Sequence, residues 1–326
     1  MISARVILSA IMLICLACTA TGVAFAQSYP ERPIKLVLPF PAGGATDTSA
    51  RLVTQALAAR LGQTIVIENQ GGAGGTIGAR AVANASADGY TLLMVAATNT
   101  FGTAPLLYKL DYDAMKTFAP VAMVVIERQI MVVSPTLPIT TVGELVAHAK
   151  ANPGKLNYGN AIGIAPHFLL EMFKVRTGAD IVHIPYRGGA PMIADLLGGQ
   201  IQLTMNGKSV LMPHIREGKL RQLAVTSAKR WADLPNVPTL LEGGYMDFPY
   251  DTLFGIVAPA ATPRAVIEKV NAAVNDALSS GEVRAGFAKL GIDSKPGTPQ
   301  EFAAIIADEA PKWAEIVKLT GIKAAE

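Results

Sequence analysis

Cysteine is nearly absent from this chain of 326 residues, and the two that occur, Cys15 and Cys18, lie near its beginning. Residues 1–26 have the pattern of an export signal peptide, with Arg5, an apolar stretch and a small-x-small cleavage site that ends at Ala26. The rest of the chain has no cysteine, so we expect no disulfide, no thiolate nucleophile and no cysteine-ligated zinc. Lipid attachment at Cys18 is the alternative to cleavage after Ala26.

Charge is also scarce. Charged residues make up 16% of the chain, and the formal net charge is +3. The basic residues form no run, so we expect no nucleic-acid partner. The apolar stretch of the signal is shorter than the roughly 18–20 residues that a membrane-spanning helix needs. The chain is long enough to bury large cores, and its length predicts two domains.

Sequence motifs of common hydrolases and nucleotide-binding enzymes are missing. The chain has no H-E-x-x-H, no G-x-S-x-G and no Walker A sequence. The glycine-rich residues 72–78 fail the dinucleotide-binding pattern, because Ile77 stands where a glycine is required. The four histidines show no metal-ligand spacing, so we expect neither a metal nor a cofactor.

The pattern that is present alternates strands with helices, which predicts an α/β fold with a parallel sheet. The first series of predicted strands and helices comprises strands at residues 34–40, 64–68 and 90–97 and helices at 48–61 and about 76–85. A second series occupies residues 141–226, where Thr141 and Glu144 form a capping-box pattern.

Two long β-rich stretches, residues 121–134 and 252–258, predict strands that carry the chain from one domain to the other and back. The resulting division is residues 1–26 for the signal peptide, 27–125 together with 253–326 for domain 1, and 126–252 for domain 2. The last predicted helix, around residues 299–319, contains Pro311, which we expect to kink or split it.

Tight glycine loops follow two of the predicted strands, at residues 41–45 and 187–189. In open α/β sheets, ligands bind beyond the carboxyl ends of strands, close to helix N-termini. Gly43 and Gly44 allow a close backbone approach and a positive φ. Thr46 or Asp47 is expected to cap the helix that follows.

Several side chains near these loops are candidate ligand contacts. Arg187 could grip a carboxylate through two hydrogen bonds or be an ordinary exposed arginine. His167 begins a helix, where it could face a cleft or form a local cap. Phe40 and Tyr186 could wall a pocket or belong to the core. In the alternative of an enzyme, a hydrolase or lyase, Asp47 and His167 would form an acid–base pair, although no nucleophile accompanies them.

Four motifs resemble those of the Bug family, the periplasmic solute-binding receptors of tripartite tricarboxylate transporters. They are residues 38–47 (LPFPAGGATD), 72–78 (GAGGTIG), 184–200 (which begins IPYRGGAP) and 223–230 (LAVTSAKR). The resemblance covers almost the whole chain after the signal. It implies a type II periplasmic-binding-protein fold, with two α/β domains joined by crossing strands around a ligand cleft. It also implies a monomeric periplasmic receptor, not an enzyme, that delivers a small organic acid to an inner-membrane permease.

The resemblance further implies that loops at strand ends line the site. The implied ligand-binding residues are Phe40, Gly43, Gly44, Thr46, Asp47, Thr98, Asn99, Asn160, Ala161, Ile162, His167, Tyr186, Arg187, Gly188 and Asn206. The loop before His167 and the strand end at Asn206 lack the polar residues that are frequent in the family, and Asn99 stands where histidine is common. We therefore expect a less polar pocket, suited to a carboxylate with an apolar or aromatic body. A receptor that presents its closed form to a signalling protein remains an alternative.

Overall fold

The first lobe is built on a parallel three-stranded sheet. The computed structural model describes residues 29–323, so the predicted signal peptide and its cleavage site lie outside the described residues. The elements of this part are β1 (Ile34–Leu38), α1 (Ala45–Leu61), β2 (Ile65–Asn69), α2 (Thr76–Ala83) and β3 (Thr91–Ala96). Strand β1 pairs in parallel with both β2 and β3, as the alternating pattern predicts.

Alternate side chains of β1 enter two separate apolar cores. Ile34, Leu36 and Leu38 belong to the core that contains the buried face of α1. Val37 points to the other face of the sheet, into the core that contains Val82 of α2. Burial on both faces is the arrangement expected of a parallel sheet covered by crossover helices.

One long strand leads out of the first lobe. After a π-helical turn at Thr98–Thr103 come two short helices, α3 (Ala104–Leu107) and α4 (Ala114–Thr117), and then β4 (Phe118–Val133), which has 16 residues. Glu127 and Gln129 interrupt the apolar sequence of β4, yet they are only 0% and 3% exposed. Because both are buried, their polar groups need partners inside the protein or in a bound molecule.

The second lobe repeats the alternation of helices and strands. Its elements are α5 (Val142–Ala151), β5 (Leu156–Asn160), α6 (Ala165–Thr177), β6 (Ile181–Pro185), α7 (Gly189–Leu197), β7 (Leu203–Gly207), α8 (Lys208–Arg216) and β8 (Arg221–Val225). Strand β5 pairs in parallel with β6 and β7, and the C-terminal half of β4 pairs antiparallel with β7 and β8. The predicted capping box of Thr141 and Glu144 is present at the start of α5.

The chain returns to the first lobe through β9 (Asp251–Pro259). The elements that follow are α9 (Arg264–Ser279), α10 (Gly281–Leu290), β10 (Asp293–Ser294) and α11 (Pro299–Thr320). Strand β9 pairs antiparallel with β3 and with the N-terminal half of β4. The strand order is β2-β1-β3-β9-β4-β7-β5-β6, with β8 and β10 also paired to β4. Strands β4 and β9 are thus the crossing strands, at the two β-rich stretches that predict them.

The last helix, α11, continues through Pro311, so the expected split does not occur. Pro311 and Ala307 are both exposed, and water can therefore reach the Ala307 carbonyl that loses its helical partner. Further along α11, the buried Trp313 contacts Phe168 of α6 and Tyr250, with ring centroids 5.8 and 5.5 Å apart. The end of α11 therefore packs on the core of the second lobe. None of the helices within residues 29–323 is long and apolar enough to cross a membrane.

Candidate functional site

A cavity of about 790 Å³, its open mouth included, lies where the two lobes meet. Its walls come from the β1–α1 loop, the end of β3, the crossing strands, the loops before α6 and α7, the end of β7 and the first turn of α8. Its polar lining residues are Thr46, Thr98, Asn99, Gln129, Asn206, Tyr250 and Thr252. The remaining lining residues are apolar or glycine, and none of the lining residues carries a charge. Within residues 29–323, no cluster of side chains could hold a metal ion.

The lobes touch each other at two places beside this cavity. In the first, Pro41 lies against Gly188, and a Cβ added to Gly188 would stand 3.1 Å from Pro41 Cγ. In the second, the Gly163 carbonyl accepts hydrogen bonds from Thr103 Oγ1 at 2.7 Å and from Asn99 Nδ2 at 3.1 Å. The two lobes are therefore in direct contact beside the cavity.

Four helices begin at the cavity wall, namely α1, α6, α7 and α8. Their N-cap residues are Gly44, Ile164, Gly188 and Gly207, and none of these supplies a side-chain hydrogen bond to the first turn. In α8, however, the Ser209 amide donates to Glu127 Oε1 at 2.8 Å, so the uncapped starts are those of α1, α6 and α7. The first N–H groups of a helix have no partner within the helix, and the helix dipole makes this end positive. The convergence of these helix starts therefore favours a bound anion, such as a carboxylate.

Helices that begin far from the cavity are mostly built differently. Helices α4, α5, α10 and α11 are capped by the side chains of Asp113, Thr141, Ser280 and Thr298. Helices α2, α3 and α9 lack side-chain caps although they begin outside the cavity. An uncapped start alone thus does not mark the site, and the distinguishing feature is that three of them meet at one cavity.

Eight of the fifteen residues expected to bind the ligand line the cavity. They are Phe40, Gly44, Thr46, Thr98, Asn99, Ala161, Gly188 and Asn206. The other seven lie outside the lining, and they are Gly43, Asp47, Asn160, Ile162, His167, Tyr186 and Arg187. Several of these seven determine the shapes of the loops that do line the cavity.

Asp47 holds the first glycine loop in place. Its carboxylate accepts hydrogen bonds from the Gly43 amide at 3.1 Å, from Asn69 Nδ2 at 3.1 Å and from Arg51 Nε at 2.9 Å. Burial opposes ionisation, but the bonds from Arg51, Gly43 and Asn69 outweigh it and lower the pKa of Asp47. The expected N-cap at Thr46 or Asp47 is wrong, because α1 begins after Gly44 and Asp47 reaches back past the cap.

His167 plays the corresponding part in the loop before α6. It is 4% exposed, its Nδ1 accepts a hydrogen bond from the Gly163 amide at 3.2 Å, and its ring stacks on His183. Burial, followed by the charges of His183 and Lys174, lowers the pKa of His167 to about 3, so the ring is neutral at pH 7. Asp47 is likewise engaged in its own loop, so neither member of the hypothetical acid–base pair faces the cavity.

Two other expected residues, Tyr186 and Asn160, support the loops of the second lobe, whereas Arg187 does not. The Tyr186 hydroxyl donates to Asp195 Oδ2 at 2.6 Å. The Asn160 carbonyl accepts from the Tyr186 amide at 3.0 Å, and the Asn160 side chain is fully buried. Arg187 is exposed and lies outside the cavity lining. The Arg187 side chain therefore makes no contact with the space in which a ligand would lie.

The crossing strands supply a wall that is absent from the expected set. Gln129 of β4, Thr252 of β9 and Tyr250 just before β9 line the cavity beside Thr98. Gln129 Nε2 donates to Thr252 Oγ1 at 3.0 Å, and the Tyr250 hydroxyl lies 3.1 Å from both Thr252 Oγ1 and Thr98 Oγ1. We call these four residues the hinge network. The signal for it is the polar Gln129 within the apolar stretch 121–134.

The other unexpected lining residues are apolar or glycine. They are Pro41, Ala45, Ala96, Ile164, Ala165, Pro166, Gly189, Met192, Val210 and Phe254. They contribute most of the apolar surface of the cavity wall. A ligand that fills the cavity therefore buries apolar surface as well as its polar groups.

Comparisons with known proteins agree with this geometry. The model of the tripartite tricarboxylate transporter family receptor matches residues 49–322. Protein BugT of Bordetella pertussis is 39% identical over 91% of this chain and 92% of its own length. The structure of the periplasmic binding protein BugD superposes with a TM-score of 0.85 at 37% identity, covering 90% of this chain and 99% of that one. The structure of R. palustris Rpa4515 with adipate gives 0.86 at 34% identity, with the same coverage. These matches confirm the predicted two-domain periplasmic-binding-protein fold.

Proposed function

The chain belongs to the tripartite tricarboxylate transporter receptor family, and from this premise we propose that it is a periplasmic receptor that holds a small organic acid between its lobes and delivers it to an inner-membrane permease. The observation that carries the proposal is the uncharged cavity between the lobes on which three uncapped helix N-termini converge. The adipate in the related R. palustris structure supports a carboxylate as the ligand.

Backbone amides, not cationic side chains, would bind the carboxylate. Arg187 lies outside the cavity, and the uncapped starts of α1, α6 and α7 offer N–H groups from both lobes. Pro166 removes one of these donors from the first turn of α6. Because an acid held by both lobes contacts more protein in the closed state, its binding shifts the equilibrium towards closure.

The proposal also includes the export and the assembly state of the chain. Cleavage after Ala26 would leave a periplasmic receptor that begins at Gln27 and acts as a monomer. Domain 1 would comprise residues 27–125 and 253–326, and domain 2 residues 126–252, with the crossing strands as the hinge. The receptor needs no catalytic group, and the engagement of Asp47 and His167 in their own loops supports a function without catalysis.

The decisive experiment is thermal unfolding of residues 27–326, refolded to remove any bound ligand, against a panel of small acids. The panel contains dicarboxylates, tricarboxylates, amino acids, hydroxy acids, carboxamide acids and aromatic acids. An acid that binds only the folded state stabilises it by about 2.7 kcal/mol at a hundredfold excess over Kd. We expect one chemical class to raise the unfolding midpoint without being consumed.

A variant that fills the cavity controls for nonspecific effects. Ala161→Phe places a ring in the cavity, and we expect it to abolish the ligand-dependent rise of the midpoint. Ala304→Phe, on the exposed face of α11, adds the same ring away from the cavity and should retain the rise. A protein that no acid stabilises, or an equal rise in both variants, would refute carboxylate binding in this cavity.

A further inference from the structure

The backbone of Gly163, in the loop before α6, is hydrogen-bonded to both lobes. Its amide donates to His167 Nδ1 at 3.2 Å within the second lobe. Its carbonyl accepts hydrogen bonds from Thr103 Oγ1 at 2.7 Å and from Asn99 Nδ2 at 3.1 Å. Both donors belong to the π-helical turn Thr98–Thr103, which follows β3 of the first lobe. The first lobe therefore holds a loop of the second lobe through this carbonyl, and we call the two bonds to it the Gly163 contact.

The donors of the Gly163 contact are removed from water. Thr103 is 0% exposed and Asn99 is 3% exposed, and Asn99 Nδ2 also donates to Thr103 Oγ1 at 3.3 Å. Buried polar groups need hydrogen-bond partners, so a lobe interface without these bonds would be less stable. Asn99 lines the cavity, whereas Thr103 lies outside the lining. The hydroxyl of Thr103 can therefore be removed without changing a residue of the cavity wall.

The Gly163 contact adjoins the start of α6, which belongs to the cavity wall. Gly163 stands one residue before Ile164, the N-cap of α6, and residues 164–166 line the cavity. Hydrogen bonds from the first lobe to Gly163 thus determine where the start of α6 lies relative to that lobe. Both partners in each bond are protein groups, so the contact needs no ligand atom.

We propose that Thr103, together with Asn99, is a positioning residue of the binding site that holds the start of α6 against the first lobe. The inference rests on the proposed function and adds to it that part of the free energy of lobe closure comes from the protein itself. The ligand-free protein therefore populates the assembled site. Because apparent affinity depends on the population of the binding-competent state, the Gly163 contact strengthens the binding of every ligand by the same factor.

The test removes the hydroxyl of Thr103 and measures affinity by calorimetry. Thr103→Val has a similar shape but no donor, and we expect it to bind each acid about fivefold more weakly than the wild type. The factor should be the same for acids that bind tightly and for analogues that bind weakly. Thr103→Ser keeps the hydroxyl and should stay within about twofold of the wild type.

Thr100→Val is the matched control. Thr100 lies in the same turn and is 6% exposed, but within residues 29–323 its hydroxyl makes no hydrogen bond to the second lobe. We expect this variant to bind every acid as the wild type does. The thermal midpoint of each ligand-free variant shows whether it is folded, so that a general loss of stability is not read as a loss of affinity.

Small-angle X-ray scattering adds a measurement that needs no ligand. In protein refolded to remove any ligand, Thr103→Val should have a larger radius of gyration than the wild type, because fewer molecules have their lobes in contact. Thr103→Ser and Thr100→Val should have the radius of the wild type. A role in local stability alone would leave all four radii equal.

The outcomes separate this inference from the proposed function. Unchanged affinities in Thr103→Val, or an equal loss in Thr100→Val, would overturn the inference and leave the carboxylate receptor intact. A loss that differs among the acids would make Thr103 a ligand contact and would also overturn it. If none of the acids binds the wild-type protein, the proposed function fails, and scattering still decides the inference. A larger radius in Thr103→Val alone supports it, and equal radii overturn it.

Discussion

The loops before α1 and α6 are built on one plan in two lobes. Gly43 and Gly163 each stand one residue before the N-cap, with φ of +82° and +81°. In both loops the amide of this glycine donates to the side chain four residues later, which is Asp47 in the first lobe and His167 in the second. The same geometry is thus held by a carboxylate in one lobe and by an imidazole in the other.

The two loops differ in the charge of the side chain that holds them. The donors around Asp47 lower its pKa, so a negative charge stands in the first turn of α1, partly offset by Arg51. His167 is neutral at pH 7, so the positive end of the α6 dipole is not opposed. A carboxylate at the start of α1 therefore meets a helix end whose positive charge is partly offset by Asp47, whereas one at the start of α6 does not. The comparison teaches that one backbone shape can be combined with two electrostatic environments for a ligand.

The largest expected effect tests whether the two glycines are equivalent. Alanine at either position adopts a left-handed backbone, which costs about 1–2 kcal/mol. At Gly163 the new Cβ would also stand 2.8 Å from Leu107 Cδ1, whereas at Gly43 its nearest neighbour is 3.5 Å away. We therefore expect Gly163→Ala to lose about 3 kcal/mol and Gly43→Ala about 1–2 kcal/mol in urea unfolding. Equal losses of unfolding free energy would show that the side chains around the two loops do not affect the cost of the substitution.

The next effect concerns the carboxylate of the first loop. Asp47→Ala removes the acceptor of the Gly43 amide and of Asn69, and we expect a loss of about 2 kcal/mol in the free energy of unfolding. Arg51→Ala is the control, because the Arg51 side chain is 55% exposed and its ion pair is worth less than about 1 kcal/mol. If Arg51→Ala lowers the free energy of unfolding as much as Asp47→Ala does, the stabilisation comes from the ion pair and not from the hydrogen bonds to the loop.

The two loops should respond to acid in different pH ranges. The pKa of His167 falls from 6.5 in the unfolded chain to about 3 in the folded protein. Below pH 6.5 the unfolded chain therefore binds a proton that the folded protein does not, and stability falls. The His167 contribution lost between pH 7 and pH 5 is about 2 kcal/mol. The contribution of Asp47 to stability is lost only as the pH falls below about 4, which is the pKa of an aspartate in the unfolded chain.

A variant isolates this contribution from the other titrating groups. The difference in unfolding free energy between wild type and His167→Asn should shrink by about 2 kcal/mol from pH 7 to pH 5. Glu127 acts in the opposite direction, because burial raises its pKa to about 8 and stability therefore increases as the pH falls from 8 towards 4.5. Because both proteins contain Glu127, its effect cancels in the difference. A constant difference would show that the folded and unfolded states protonate His167 equally, and so that the fold does not lower its pKa.

The smallest expected effect is at the third glycine loop, before α7. In the other two loops, a backbone amide donates to the side chain of Asp47 or His167 four residues later. Pro191 occupies the equivalent position in this loop, and its side chain has no acceptor. Arg187 is exposed beside it and outside the cavity. We expect Arg187→Ala to weaken ligand binding by less than about threefold, through screened long-range attraction. A loss of tenfold or more in calorimetry would place the guanidinium on the ligand.

Helices and strands with a clear pattern of apolar residues could be predicted from the sequence, and so could the position of the cavity. The alternation of residues 34–97 predicts the parallel strands β1, β2 and β3, because burial on both faces demands apolar runs. Glycine loops at strand ends predict the cavity edge, where Gly44 and Gly188 lie. Asp47 and His167 are near the site but serve their own loops, since a local hydrogen bond four residues back is not visible in a pattern of residue types.

The hinge network is beyond prediction from sequence patterns for a different reason. Gln129 and Thr252 are 123 residues apart, and only the antiparallel pairing of β4 with β9 brings them together. That register depends on packing throughout both lobes and leaves no local signal. The polarity of Gln129 within an apolar strand shows that it is unusual, but its partners become known only from the fold.

The helix α11 has a mechanical consequence for the receptor. Its first half anchors in the first lobe through Phe302 and Ile306, and its second half anchors in the second lobe through Trp313 and Ile316. This helix of 22 residues, about 33 Å long, therefore joins the lobes at a third place in addition to β4 and β9. Any separation of the lobes has to move or bend α11 as well as the two strands.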